Sequence, residues 1–178
     1  MSLHISDDTT PGNPFWRFSI EIYGRDAVKN ACLALQDKAG GDVNLMLFLC
    51  WRAGQHLAPP TGDDLSAMIS ALDPVNSEVI HPLRQVRRRL ASLPRARSGT
   101  LRDLVLKAEL EGERMAQDLL YQQFGAPGDT TSLSPPVAAR QALLSYVQRL
   151  AGSSAPGQDT EGLVRELTEA VFGNESTA

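Results

Sequence analysis

Residues that build disulfide frameworks and metal centres are scarce in this sequence. It has two cysteines and three histidines among 178 residues, and Cys32 and Cys50 each lie within an apolar run. Cysteines in such surroundings are typical of buried free thiols in a reducing compartment. The first residues also lack the basic start and the apolar stretch of a secretory signal. We therefore predict a cytoplasmic protein, and we expect neither a metal nor a cofactor.

Long apolar runs are missing as well. The longest extends from Val43 to Trp51 and includes the polar Asn44 among its nine residues. A transmembrane helix needs about 20 mostly apolar residues, so we predict no membrane span. A helix that is apolar on nearly every side but too short for a bilayer is expected at the centre of a helical bundle.

The motifs of several enzyme classes are absent too. The sequence contains no Gly-x-x-x-x-Gly-Lys-Ser/Thr loop, no Gly-x-Gly-x-x-Gly, no Cys-x-x-Cys and no His-Glu-x-x-His. A nucleophile elbow is also lacking, so nucleotide-binding, redox, zinc-protease and hydrolase functions lack their usual residues. These absences favour a role without catalysis and leave open an enzyme of another kind.

Helical periodicity is what the sequence does have. Apolar residues recur at spacings of three and four, without the period-two alternation of strands. The prediction is an all-α fold: a single-domain helical bundle around a buried central helix of about residues 42–53, with two additional C-terminal helices. The predicted divisions are a disordered tail over residues 1–12, a helical bundle domain over 13–124, and a linker plus C-terminal helical extension over 125–178.

Prolines and one polar stretch predict where helices are interrupted. Asp73-Pro74 predicts a break or restart, and Pro82 predicts a kink or restart near His81, because proline lacks the N–H that a helix needs. The apolar stripe from Val75 to Leu93 predicts a core-facing helix. The stretch LPRARSGT predicts a loop, and a long helix is expected to begin after it, near Leu101.

Charge is distributed unevenly along the chain. The net charge is −4 and the pI is near 5.4, which argues against a surface built wholly for nucleic acid or anionic membranes. Between Glu78 and Asp103, however, the chain carries seven arginines and no acidic residue. Guanidinium groups bind phosphates and carboxylates, so an anionic partner could contact this segment. The candidate binding residues are Arg84, Arg87, Arg88, Arg95 and Arg97.

Internal pairing is the alternative explanation of these arginines. A hairpin about LPRARSGT would place the acidic residues of the following helix against the basic helix. In that register Arg84 lies near the level of Glu109 and Glu111. Exposed pairs of this kind contribute roughly 0–1 kcal/mol each, so their presence alone would not decide the function.

Glu78-Val-Ile-His81 is a second candidate site. The Glu-x-x-His spacing places a carboxylate and an imidazole on one helical face, as in di-iron bundles, and the hairpin would bring Glu113 nearby. A complete metal site needs a second such motif, which the sequence lacks. Glu78, His81 and Glu113 are therefore candidate catalytic residues for acid–base chemistry. The simpler alternative is that His81 satisfies backbone groups exposed at the proline kink.

Three blocks of the sequence resemble a known family. They are FWRFSIEIYGRDAVKNACLALQDKAGGDVNLMLFLCW, HPLRQVRRRL and LKAELEGERMAQDLL. Together they resemble a proteobacterial family of conserved hypothetical proteins that carries a domain-of-unknown-function label, over about residues 13–124. The resemblance implies a small helical soluble protein and no established activity.

Two functional hypotheses follow. The first is a cytoplasmic bacterial adaptor or regulatory protein without enzymatic activity, which binds another protein through helical surfaces and the arginine-rich segment. The second is a helical enzyme, or a protein that binds a small ligand or metal, using Glu78, His81, Arg84 and Glu113. Nucleic acid is not the expected partner, because the pI is acidic and the basic segment lacks interleaved aromatic residues. A homo-oligomer formed through the C-terminal helices is left open.

Overall fold

The described chain folds almost entirely into helices. The computed structural model describes residues 12–152 and 157–173. The predicted tail, apart from Gly12, and residues 153–156 and 174–178 of the predicted extension lie outside the described residues. The elements are α1 (Pro14–Tyr23), α2 (Asp26–Ala39), α3 (Val43–Gly54), α4 (Gly62–Val75), a π-helical segment (Asn76–Ile80), α5 (His81–Ala91), α6 (Arg95–Phe124), α7 (Pro135–Ala151) and α8 (Gln158–Phe172). The predicted all-α, single-domain fold is confirmed.

Local signals fix where the first helices begin. The side chain of Asn13 accepts a hydrogen bond from the Trp16 N–H and caps α1, and that of Asp42 accepts from the Leu45 N–H and caps α3. Thr61 and Asp64 form a reciprocal capping box at the start of α4. Gly40 ends α2 with φ = 70°, a left-handed conformation that glycine adopts without steric cost.

The central helix is α3, as the apolar run predicts. Its residues from Asn44 to Trp51 are all buried, and it packs against α1, α2, α6 and α7. Cys32 and Cys50 are both buried free thiols, and burial raises the pKa of Cys32 to about 12. Among the described residues, no helix is both long enough and apolar enough to cross a bilayer.

The two C-terminal helices complete the bundle. α7 packs against α3, and α8 packs against α2 and α7. Tyr146 of α7 and Leu167 of α8 are buried in the same hydrophobic core as α3. The predicted boundary near residue 124 coincides with the end of α6, whereas the division into a domain and an extension stays a prediction.

The prediction of a break at Asp73-Pro74 is wrong. α4 continues through Pro74 and leads directly into the π-helical segment, so helical backbone is unbroken from Gly62 to Ala91. At the end of the π segment, the N–H of His81 donates to the carbonyl of Asn76, five residues back. This wider turn shifts the hydrogen-bond register just before Pro82, whose ring would crowd an ordinary helix. The predicted kink or restart near His81 is thus a change of hydrogen-bond register at the start of α5, within a continuous helical backbone.

The prediction of a loop up to Leu101 is also wrong. α6 begins at Arg95, so Arg95 and Arg97 lie in its first turns. Arginine and alanine favour helices, and Pro94 stands just before the helix, where a missing N–H does no harm. The lack of apolar periodicity in this stretch reflects its exposure rather than an irregular backbone.

The expectation of a core-facing α5 is wrong as well. None of its side chains is fully buried, and Val86 is 42% exposed. The reason is that α5 packs mainly against α6 and the π segment, and not into the main core. We call residues 81–115, which comprise α5, the turn and most of α6, the arm.

Candidate functional site: the α5–α6 arm

The two helices of the arm form an antiparallel hairpin, as the sequence predicts. At the turn, the Ser98 hydroxyl donates to the carbonyl of Leu90 at 3.3 Å. At the root, Gly112 lies against the π segment, where a Cβ atom would come within 3.1 Å of Ile80 Cγ1. The small residue therefore allows the two backbones to approach closely at this crossing.

A charged cluster holds the root of the arm together. Glu109 of α6, whose side chain is only 6% exposed, accepts hydrogen bonds from Arg84 Nε at 3.1 Å and from Arg87 Nε and Nη2. Arg84 Nη2 also donates to Glu113 Oε1 at 2.6 Å. The predicted pairing of Arg84 with Glu109 is confirmed, whereas Glu111 is exposed. Arg84 and Arg87 are therefore engaged within the protein.

Two amides connect this cluster to the central helix. Asn44 Nδ2 of α3 donates to Glu113 Oε2, and Gln117 Nε2 of α6 donates to Asn44 Oδ1 at 2.8 Å. Asn44 and Gln117 are both buried. A buried amide needs hydrogen-bond partners. Asn44, the one polar residue in the apolar run of α3, has its partners on α6 and so connects the arm to the core.

A neighbouring group of contacts anchors the π segment. Asn76 Nδ2 donates to Asp42 Oδ2 at 2.9 Å, and the backbone N–H of Asp42 donates to the hydroxyl oxygen of Tyr146 at 2.9 Å. Asp42 therefore caps α3 while it joins the π segment to α7. An aspartate just before an apolar run is a common helix cap, whereas nothing in the sequence points to these two partners.

Burial and charge act in opposite directions on the carboxyl groups. Burial alone would raise the pKa of Glu109, but the hydrogen bonds and charges of Arg87 and Arg84 outweigh it and hold the pKa below its ordinary value. For Glu113, burial raises the pKa, and the hydrogen bond from Asn44 offsets only part of this effect. Burial likewise raises the pKa of Asp42. Glu109 is thus the carboxyl group whose ionised form the cluster stabilises.

The outer surface of the arm is basic. Arg88, Arg89, Arg95 and Arg97 are all exposed. Arg95 Nη2 lies 3.9 Å from Asp103 Oδ1, with the two side chains 74% and 57% exposed. Of the five predicted binding residues, Arg88, Arg95 and Arg97 therefore face solvent, while Arg84 and Arg87 face the cluster.

The predicted catalytic residues do not form one group. Glu113 belongs to the partly buried cluster, whereas Glu78 and His81 are exposed and take no part in it. Within the described ranges, no three His, Cys, Asp or Glu side chains are placed to hold a metal ion. Since both oxygens of Glu109 accept arginine hydrogen bonds, the cluster holds the arm in place and does not offer that carboxylate to solvent.

Two features of the arm are not predicted from the sequence. One is Gln117, which continues the network into the core; its spacing of four residues from Glu113 was the available signal. The other is the exposure of Leu101, Leu104 and Met115. Their helical spacing looks the same whether the stripe faces a core or solvent, so periodicity could not reveal it.

The geometry defines a class of protein: an all-α bundle that carries a helical-hairpin arm, with a partly buried charged cluster at the root of the arm. A family profile matches residues 14–120, from the first residue of α1 nearly to the end of α6. The chain belongs to the family described as "Protein of unknown function (DUF2390)". No significant match to a curated protein or to a solved structure was found. The predicted family membership is confirmed, and its proteobacterial origin stays a prediction.

Proposed function

We propose that this protein is an adaptor or regulatory module without enzymatic activity, and that its arm binds an acidic surface of another protein. The proposal rests on the uneven distribution of charged residues between the arm and the rest of the chain. The arm contains nine Lys and Arg against four Asp and Glu, whereas the rest of the chain contains eight against seventeen. A positive element on an otherwise negative protein attracts acidic partners and orients them as they approach.

Arg88 and Arg95 are the proposed anionic contacts. Arg84 and Arg87 are held by Glu109 and Glu113, so their role is to position the arm. Arg88 is exposed, and the ion pair of Arg95 with Asp103 is long and solvated. A pair of that kind contributes roughly 0–1 kcal/mol, so a partner carboxylate can displace it.

The alternative function, an enzyme or small-ligand protein, has less support. It requires Glu78 and His81 to act together with Arg84 and Glu113. The first two are exposed, and the last two bind each other at 2.6 Å. The proposed location is the bacterial cytoplasm, because two buried free thiols fit a reducing compartment.

Charge reversal tests the proposal. The full chain is purified gently from its own host as the wild type, as R88E/R95E, and as the control R17E/R140E. Arg17 and Arg140 are exposed on α1 and α7, so the control makes the same change in charge away from the arm. We expect a partner protein to be retained by the wild type and the control and lost from R88E/R95E, with circular dichroism unchanged in all three.

Two results would contradict the proposal. R88E/R95E could retain every partner of the wild type, which would show that the arginines are not the contact. Alternatively, nuclease treatment could remove all the material that depends on Arg88 and Arg95, which would identify nucleic acid as the partner.

A further inference from the structure

The arm has a second surface that the proposed function leaves unused. Among the described residues, eight large apolar side chains are exposed, and five of them belong to the arm: Val86, Leu93, Leu101, Leu104 and Met115. Leu104 is the most exposed of the eight, at 58%. Grouped apolar side chains in water are typical of an interaction surface.

Helical geometry places four of these five side chains, all except Leu93 of the turn, on one side of the arm. On α6, the exposed stripe recurs at spacings of three and four and consists of Arg97, Leu101, Leu104, Ala108, Glu111 and Met115. Val86 immediately precedes Arg87 in α5, and Ala108 immediately precedes Glu109 in α6. Val86 and Ala108 are therefore each displaced by one residue around their own helix axis from the residue that forms the ion pair. Because the two helices run antiparallel, these equal displacements bring both residues to the same side of the arm. We call this surface, Val86 together with the α6 stripe, the apolar face.

The charges on the apolar face are arranged symmetrically about Leu104. Arg97 lies seven residues before Leu104, and Glu111 lies seven residues after it. At 1.5 Å per residue, each is about 10 Å along the helix from Leu104, in opposite directions. A second α6 laid antiparallel across the first would set Leu104 against Leu104 and each Arg97 against Glu111 of the other copy. A surface that complements itself in this way fits a two-fold interface.

We infer that the apolar face binds a second copy of this chain and forms a symmetric dimer. In this dimer α6 lies antiparallel to α6 of the other copy, and the two-fold axis passes at Leu104. On α6 the face carries one exposed cation, Arg97, and one exposed anion, Glu111, and a second copy pairs each of them with its opposite. The exposed Arg89 of α5 borders the face, three residues after Val86, and takes no part in this pairing.

The dimer leaves the proposed adaptor contact free. Arg88 follows Val86 by two residues, and Arg95 precedes Leu104 by nine, which is two and a half turns. Both arginines therefore lie on the side of the arm opposite the apolar face. The dimer and the acidic partner can be bound together, and the two proposals can fail independently.

Sedimentation equilibrium of the full chain tests the dimer. The wild type should be dimeric at micromolar concentration, and L104D should weaken the dimer by about 100-fold or more, as expected for a central contact. Leu33, 38% exposed on α2, provides the control L33D, which should stay dimeric. Because Leu104 is already exposed in the monomer, L104D should keep its helical content by circular dichroism.

A charge swap tests the register. R97E and E111R should each weaken the dimer by about tenfold, because each creates two like-charge contacts. The double variant R97E/E111R should restore dimerisation, since it rebuilds both pairs with the signs exchanged. R88E/R95E should remain dimeric, which separates this inference from the adaptor proposal.

Any of four outcomes would overturn the inference. The wild type could be monomeric throughout the concentration range. L104D could dimerise as well as L33D. The double variant could be no stronger than the single ones, which would reject the antiparallel register about Leu104. A monomer that loses another protein on the L104D change would show instead that a different partner covers the face.

Discussion

Glu109→Gln isolates the contribution of the charged cluster to stability. Glu109 accepts three hydrogen bonds from Arg84 and Arg87 in a site where its side chain is 6% exposed. A glutamine offers one oxygen and turns an NH₂ group toward a guanidinium. A hydrogen bond to a charged group contributes about 1.5–3 kcal/mol. The arginine side chains stay about one-quarter exposed, so water replaces part of what is lost.

We therefore expect E109Q to lose about 2–3 kcal/mol of unfolding free energy. With a urea m-value of about 2 kcal/mol/M, the midpoint should fall by about 1 M. Glu111→Gln is the matched control, because it makes the same change two residues away at an exposed position. It should alter stability by less than about 0.5 kcal/mol. Equal midpoints for E109Q and E111Q would refute a structural role for the cluster.

The pH dependence of the stability difference between wild type and E109Q also tests the role of the cluster. The pKa of Glu109 is lower in the folded protein than its unfolded value of about 4.3. Its contribution is thus fully present above that pH and is lost as the pH falls through the folded pKa. The stability difference between wild type and E109Q should narrow in acid, and a difference independent of pH would contradict the assignment.

Two further predictions concern buried titratable groups. Burial raises the pKa of Glu113 in the folded protein above its unfolded value of about 4.3. Ionisation of Glu113 therefore lowers the unfolding free energy as the pH rises from the unfolded pKa toward the folded pKa. The unfolding free energy of E113Q minus that of wild type should increase across that window in urea titrations at several pH values, and a decrease would contradict the burial argument. Burial raises the pKa of both Cys32 and Cys50. A thiol reagent should label both rapidly in urea and neither in the folded protein, and rapid labelling of the folded chain would show that the core opens.

The starts of α1, α3 and α4 carry local signals in the sequence, whereas the start of α6 does not. Asn13, Asp42 and Thr61 each precede a periodic apolar stretch, and each caps its helix in the structure. Pro74 misled the prediction, because tertiary packing and the adjoining π segment carry the helix past it. The backbone cost of a proline is visible in sequence, whereas the packing that outweighs it is not.

The candidate site was only partly predictable for a similar reason. Arg84 and Glu109 are brought together by the turn of one hairpin, so counting residues from the turn locates the pair. Asn44 is 69 residues from Glu113 and 73 from Gln117, and their contact depends on how the arm crosses α3. The exposure of Leu104 also depends on which helices cover α6, which periodicity does not specify.

The lysines of this chain provide the most direct test that the arm is the interaction surface. Lys29 and Lys38 lie on α2, and Lys107 lies exposed on the arm. An amine-reactive cross-linker applied in the host cell, followed by mass spectrometry, compares the two regions within one molecule. We predict that cross-links to other chains, including a second copy, form from Lys107. Intermolecular cross-links that form from Lys29 and Lys38 but not from Lys107 would contradict the proposed role of the arm.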